Sequence, residues 1–187
     1  MTFQFKIQLK NISKPAVWRR VLVPAQFSFQ RFHMVTQEAF GWENCHMFQF
    51  SPNGFGSHPI IKEPFEDCDL GYEFLDAGTT KLDDIFKKEG QKFTYIYDFG
   101  DGWEHIITVE KITANKIAVA DCTAGKGSCP PEDCGGAWGY MNLLEILKDP
   151  ANPEHEEMKN WLGLADDEDW DADGFNLEET SAMVRIV

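Results

Sequence analysis

Two features of the chain predict an α+β fold. A hydrophobic period of two governs its early stretches and residues 92–112, whereas a period near 3.6 governs its last third. Strands therefore precede helices instead of alternating with them. The expected architecture is one domain over residues 1–187, with a mostly antiparallel sheet that opens ββαβ and a C-terminal group of helices. At 187 residues and 43% hydrophobic, the chain can bury well over half of its unfolded surface, which excludes wholesale disorder.

Residues 3–9 read Phe-Gln-Phe-Lys-Ile-Gln-Leu, a strict alternation that predicts a half-buried strand. A second strand, 16–23, is bounded by Pro15 and Pro24. From Ser28 the period changes: Phe29, Phe32, Val35, Ala39 and Phe40 share one helical face, and Gly41 ends it. His46 to Phe50 is a short third strand. Over 51–91 the glycines and prolines break every period, while Phe55, Phe65, Tyr72 and Phe74 are too apolar for a linker; a hidden strand and a packed flap both fit.

Residues 92–112 carry a hairpin signal, Asp101-Gly102, because a type I′ turn needs positive φ at both central residues. Centred there, the register sets Asp98 against His105, Ile96 against Ile107 and Tyr97 against Ile106. An acid and an imidazole would then stand side by side on one face. Residues 116–120 are expected to add a strand. Tyr140, Leu143, Leu144 and Leu147 follow helical spacing up to Pro150. Asn152-Pro153 opens another helix that turns His155, Met158, Trp161 and Leu162 inward and stops at Gly163. A last helix starts near Asn176, with Glu179 placed as in a capping box.

The net charge of −14 is unevenly placed: +4 over residues 1–50, −6 over 51–120 and −12 over 121–187. Such a chain repels phosphate backbones, so a nucleic-acid partner is not expected outside the basic N-terminal third. No apolar run nears the ~20 residues of a membrane helix. The N-terminal residues alternate where a signal peptide would be continuously apolar, so a cytoplasmic protein is expected.

Three constellations carry chemistry. Cys122, Cys129 and Cys134 offer zinc ligands, with His105 or His155 as the fourth. The Cys129–Cys134 spacing is a little wide for a zinc knuckle, and three buried reduced thiols are the alternative that the spacing favours. The second is Asp98, Asp101 and His105, joined by His46 if its strand is adjacent: a histidine oriented by a carboxylate serves as general base or metal ligand. The third is the acidic run from Asp166 to Gly174. It begins like a calcium loop but has Thr180 where a bidentate Glu is required, and so reads as an acidic segment before the last helix. Trp18, Trp42, Trp103, Trp138, Trp161 and Trp170 offer stacking surfaces, with core packing as their default role.

Pro15-Ala-Val-Trp-Arg-Arg-Val-Leu-Val-Pro24, Gly41-Trp42-x3-His46-x2-Gln49-Phe50, Tyr97-Asp-Phe-Gly-Asp-Gly-Trp-Glu-His105, Cys129-Pro-Pro-Glu-Asp-Cys-Gly-Gly-x-Trp-Gly-Tyr140 and Pro153-Glu-His-Glu-Glu157 resemble the Ri-plasmid open-reading-frame-three-like family, with an archaeal member as the nearest likeness. The resemblance covers nearly the whole chain. It implies a compact α+β domain without an established biochemical function, and the transposon-resolvase label of some relatives implies a recombination accessory role. It also places His46, Asp98, Asp101, Trp103, His105, Glu132, Asp133, Cys134 and Tyr140 in the family's defining stretches.

The function expected first is a binding module for a protein or small ligand. Trp103, Glu132, Asp133 and Tyr140 would contact that ligand, on a surface between the hairpin turn, the 130–133 loop and the 51–80 flap. The alternative is a zinc-dependent hydrolase using His105, His46, Asp98 and the cysteines.

Overall fold

The computed structural model describes residues 1–64 and 73–187; Phe65, Cys68 and Tyr72 lie outside the described residues. Strands β1 (Thr2–Ser13) and β2 (Ala16–Pro24), helix α1 (Phe29–Phe40) and strand β3 (Phe48–Ser51) form the expected ββαβ opening. Strands β4 (Ile61–Lys62) and β5 (Leu75–Asp76) and the single-turn α2 (Leu82–Ile85) occupy the segment whose sequence has no period. The hairpin is β6 (Lys92–Tyr97) and β7 (Trp103–Thr113), followed by β8 (Asp121–Lys126). Helices α3 (Gly136–Lys148), α4 (His155–Trp161) and α5 (Leu177–Arg185) complete the chain.

Among the described residues the strands make one sheet in the order β5-β4-β3-β6-β7-β1-β2-β8, antiparallel except between β4 and β5. The α+β class follows directly. Alternation on β1 buries Phe3, Phe5, Ile7 and Leu9, and α1 lays Phe29, Phe32 and Val35 over them. Phe32 and Phe5 rings stand 4.8 Å apart, and Phe29 meets Phe50 edge-on at 5.0 Å. Offset and edge-to-face aromatic packing of this kind adds to simple area burial. Ser28 caps α1 by accepting from the Arg31 N–H, and Gly41 ends it at φ 93°, a left-handed conformation suited to glycine. Among the described residues no helix is long and apolar enough to cross a membrane.

The hairpin register differs from the expected one. Tyr97 pairs with Trp103 and Tyr95 with His105, so Asp98 does not face His105. The turn is five residues long, not two. Asp98 leaves the strand at φ 53°, its Oδ1 accepts from the Gly100 N–H at 2.9 Å, and its carbonyl accepts from Gly102 N–H at 2.7 Å. An aspartate that bonds its own backbone two residues on closes a turn by itself, and here that displaces Asp101-Gly102 from the centre.

Two further expectations are corrected. The strand placed at 116–120 begins instead at Asp121, where pairing with β2 sets Cys122 opposite Val21. Trp161 does not turn inward: α4 starts only at His155, after Asn152 Oδ1 accepts from Glu154 N–H in a tight turn, and the indole is exposed.

Candidate metal centre

Three segments converge beyond the end of the β6–β7 hairpin. After Gly41 the chain runs through Trp42, which is buried, into a loop pinned at Asn44. The Asn44 N–H donates to Gln37 Oε1 at 2.9 Å, and its Oδ1 accepts from His33 Nε2 at 2.7 Å. Cys45 and His46 follow. The Met47 carbonyl then accepts from the Asp98 N–H at 2.9 Å, which sets His46 beside the hairpin turn. The third segment, Pro130 to Gly136, is bolted to the same turn. Asp101 Oδ2 accepts from the Gly135 N–H at 3.0 Å, and Gly136 lies so close that a Cβ there would collide with the Asp101 carbonyl. Positive φ at Asp133, Gly135 and Gly136 makes that approach possible.

His46 stands at the centre of the convergence. Its Nδ1 is 3.8 Å from Asp98 Oδ1, and its Nε2 is 3.8 Å from Glu132 Oε2 and 3.4 Å from Asp133 Oδ1. Glu132 is held rigidly through its other oxygen. Oε1 accepts from the Tyr97 hydroxyl and from the Glu43 N–H, each at 2.9 Å, while the Tyr97 hydroxyl accepts from the Cys45 N–H at 3.0 Å. Burial first, then hydrogen bonding and the Glu132 charge, push the Tyr97 phenol well above its ordinary range, so it remains a donor. His46 Nε2 and Glu132 Oε2 are buried atoms without a hydrogen-bond partner. Leaving such atoms unsatisfied is costly, about 1–3 kcal/mol each.

A cation bound between them would remove that cost. Ligand atoms bound at ~2.0–2.1 Å around a tetrahedral centre lie ~3.4 Å apart, close to the separations about His46 Nε2. One ligand atom each from Cys45, His46 and Glu132, or from His46, Asp98 and Asp133, lies within 4.8 Å of the others. Since one imidazole nitrogen of a metal-bound histidine coordinates while the other is oriented by a partner, a cation held by Cys45, His46 Nε2 and Glu132 would leave Asp98 to orient the ring through Nδ1. Asp133, with its side chain 73% exposed, borders the open side.

Over residues 1–179 the chain matches the plasmid pRiA4b ORF-3-like proteins. It belongs to that family. Its relatives include the uncharacterized protein y4hQ of Sinorhizobium fredii, 36% identical over 188 residues that cover 97% of this chain and 89% of the relative. A solved structure, the protein of unknown function MM3350 from Methanosarcina mazei Go1, shares the fold with a TM-score of 0.80 and 33% identity, covering 95% of this chain and 96% of that one. These relatives come from a bacterium and an archaeon and do not single out an archaeal source.

In this pRiA4b ORF-3-like chain the other site candidates divide sharply. His105 is fully buried, its Nδ1–H donating to the Trp103 carbonyl at 3.0 Å and its Nε2 accepting from Trp42 Nε1 at 3.3 Å. Burial lowers its pKa to about 3, so it is a neutral ring with neither nitrogen free for a metal or a proton. Cys122, Cys129 and Cys134 do not gather with it: among the described residues, the only groups of three or more metal-ligating side chains are the two around His46. Burial raises all three thiols, Cys134 to about 12, which keeps them protonated. His155 is buried against α3, its Nδ1–H donating to the Ile146 carbonyl at 3.2 Å. Trp103 and Tyr140, expected to meet a ligand, are core side chains. Asp101 braces the loop, while Glu132 and Asp133 do line the site. Sequence reasoning missed Cys45 and Tyr97 as site residues; the adjacency of Cys45 to His46 was the available signal.

Proposed function

We propose that this protein binds a divalent transition metal, zinc by the mixed sulfur, nitrogen and oxygen character of the donors, at Cys45, His46 and Glu132. We further propose that the position open beside Asp133 serves hydrolysis. One observation carries the reading: two buried polar atoms, His46 Nε2 and Glu132 Oε2, face each other at 3.8 Å, and neither makes a hydrogen bond. Three protein ligands plus an open position is the arrangement of catalytic rather than structural zinc, and zinc so bound lowers the pKa of a water to about 7. Asp133 is placed to accept a proton from a nucleophilic water there, and Asp98 holds the imidazole in one orientation.

Elemental analysis and calorimetry on metal-stripped protein test this. One equivalent of zinc should bind, be lost in His46→Ala and Glu132→Gln, and be retained in a Cys129→Ser, Cys134→Ser double variant. No stoichiometric metal, or loss only in the double variant, defeats it.

A second reading, a binding module, has its own support. Phe55 of the 51–80 flap meets Phe99 of the hairpin turn at 5.4 Å, and Trp138, on the helix that follows the 130–136 loop, is 82% exposed. Large exposed apolar groups around a cleft mark interaction surfaces. The net charge of −14 argues for a neutral or basic partner and against nucleic acid. Zinc that binds without turnover of any ester or amide would favour this second reading.

A further inference from the structure

Asp133 belongs to two neighbourhoods at once. On one side its Oδ1 is 3.4 Å from His46 Nε2. On the other it forms the rim of a groove of about 240 Å³ between α3 and α4, lined by Gly139, Leu143, Ile146, Met158 and Trp161 among others. Leu143 and Ile146 are buried at its base, while Met158 and the exposed Trp161 form its far wall. At the near wall Gly139 lets the loop pack directly on α3, since a Cβ there would strike the Cys134 carbonyl. A space of this size takes one large apolar side chain and not a whole drug-sized ligand.

Asp133 puts a carboxylate on the groove's rim, and the neighbouring cluster around His46 is acidic as well. Asp98, Glu132 and Asp133 surround His46, Asp101 stands at the hairpin turn, and the C-terminal third carries −12. Lysines and arginines that would receive a phosphate or a free carboxylate do not line the groove.

We infer that the groove is the side-chain subsite of the metal centre, and that the substrates are neutral or cationic acyl compounds, amides or esters, bearing one large apolar group. The inference rests on the zinc-hydrolase reading and narrows it. The apolar group enters between Met158 and Trp161, which brings the adjoining carbonyl past Asp133 to the open position. Hydrolysis balances simply: a water oxygen bonds to the acyl carbon, its proton passes by way of Asp133 to the leaving nitrogen or oxygen, and the carbon–heteroatom bond breaks. The products are a carboxylic acid and an amine or alcohol. Anionic phosphoesters are disfavoured by the same carboxylates.

Hydroxamates, which bind zinc through a small polar head, separate the two layers of the argument. In zinc-loaded protein, phenylalanine hydroxamate should bind about tenfold or more tightly than acetohydroxamate, because one aromatic side chain leaves water. Trp161→Ala should bring the two within about twofold while zinc content and acetohydroxamate affinity stay unchanged. Met158→Asp, read by the same titration with circular dichroism as a check on folding, should abolish the difference as well. Equal binding of both probes to the native protein, or a preference that survives in Trp161→Ala, overturns the subsite while leaving the metal centre standing. Failure of acetohydroxamate and zinc to bind at all overturns the metal reading and the subsite together.

Discussion

His105 and His46 are a natural experiment in what burial means. Both nitrogens of His105 are matched, one by the Trp103 carbonyl and one by the Trp42 indole, while nearby His33 joins Tyr95, Gln37 and Asn44 in a closed set. Around His46 the geometry is equally fixed, yet the facing atoms of His46 and Glu132 satisfy nothing. A satisfied buried network specifies a core; a rigid but unsatisfied one is organised for something that comes from outside. The two environments are only one aromatic layer apart, since Trp42 contacts both His105 and Tyr97, and Tyr97 stands against His46.

The sharpest way to break this contrast is to truncate each ring. His105→Ala should cost about 3–5 kcal/mol in urea denaturation, from the cavity left beneath Phe40 and Tyr95 and the stranded Trp42 N–H. His46→Ala, in metal-free protein, should change stability by less than about 1 kcal/mol, since it removes a group that was itself unsatisfied. Comparable losses from both would erase the distinction.

Acid provides the next largest effect. Burial lowers His105 to about 3 and His33 to about 4, below the ordinary histidine value near 6.5. The unfolded chain therefore binds more protons than the native one as pH falls below 6.5. Stability is fully present above that pH, declines through the window, and stops declining on their account below about 3. His105 alone should remove about 2–3 kcal/mol by pH 4.5, measurable as a falling urea midpoint between pH 7 and 4.5. A flat midpoint over that range would mean that the ring is hydrated or charged in the native protein.

A smaller perturbation tests the bolt between the two loops. Gly136→Ala forces a Cβ into the Asp101 carbonyl at a residue with φ 67°, so about 1–3 kcal/mol should be lost. Because Glu132 and Asp133 ride on the same loop, zinc affinity should fall alongside stability. Unchanged affinity in a destabilised variant would show that the carboxylates are positioned from the Glu43 and Tyr97 side alone.

Most of the scaffold was legible in the sequence because periods of two and 3.6 are local. The alternation of Phe3, Phe5, Ile7 and Leu9, and the Ser28–Gly41 frame around α1, translate directly into buried faces. The site was half legible. His46, Asp98, Glu132 and Asp133 stood out as polar residues in distinctive stretches, but which of them meet was set by one turn. Reading Asp101-Gly102 as a two-residue turn put the acid beside His105; the bond from Asp98 Oδ1 to the Gly100 N–H shifted the register and gave that acid to His46. Nor does spacing reveal depth: Cys129, whose thiol burial raises far above its ordinary range, and exposed Cys45 look alike as letters.

The finest test leaves the fold alone and changes one charge. Asp98 has two duties, closing the turn through Oδ1 at φ 53° and standing 3.8 Å from His46 Nδ1. Asparagine keeps the first, because its amide oxygen accepts from the Gly100 N–H and it tolerates the left-handed conformation better than other residues with a Cβ. It loses the second, since a neutral amide no longer strengthens the imidazole as a donor to a cation. Asp98→Asn should therefore weaken zinc binding by about tenfold with a stability change under about 0.5 kcal/mol. Asp98→Ala, which loses the turn bond too, should add about 1 kcal/mol of destabilisation to the same loss of affinity. Identical zinc affinities in the native protein and Asp98→Asn would reduce Asp98 to a turn residue with no part in orienting the His46 ring.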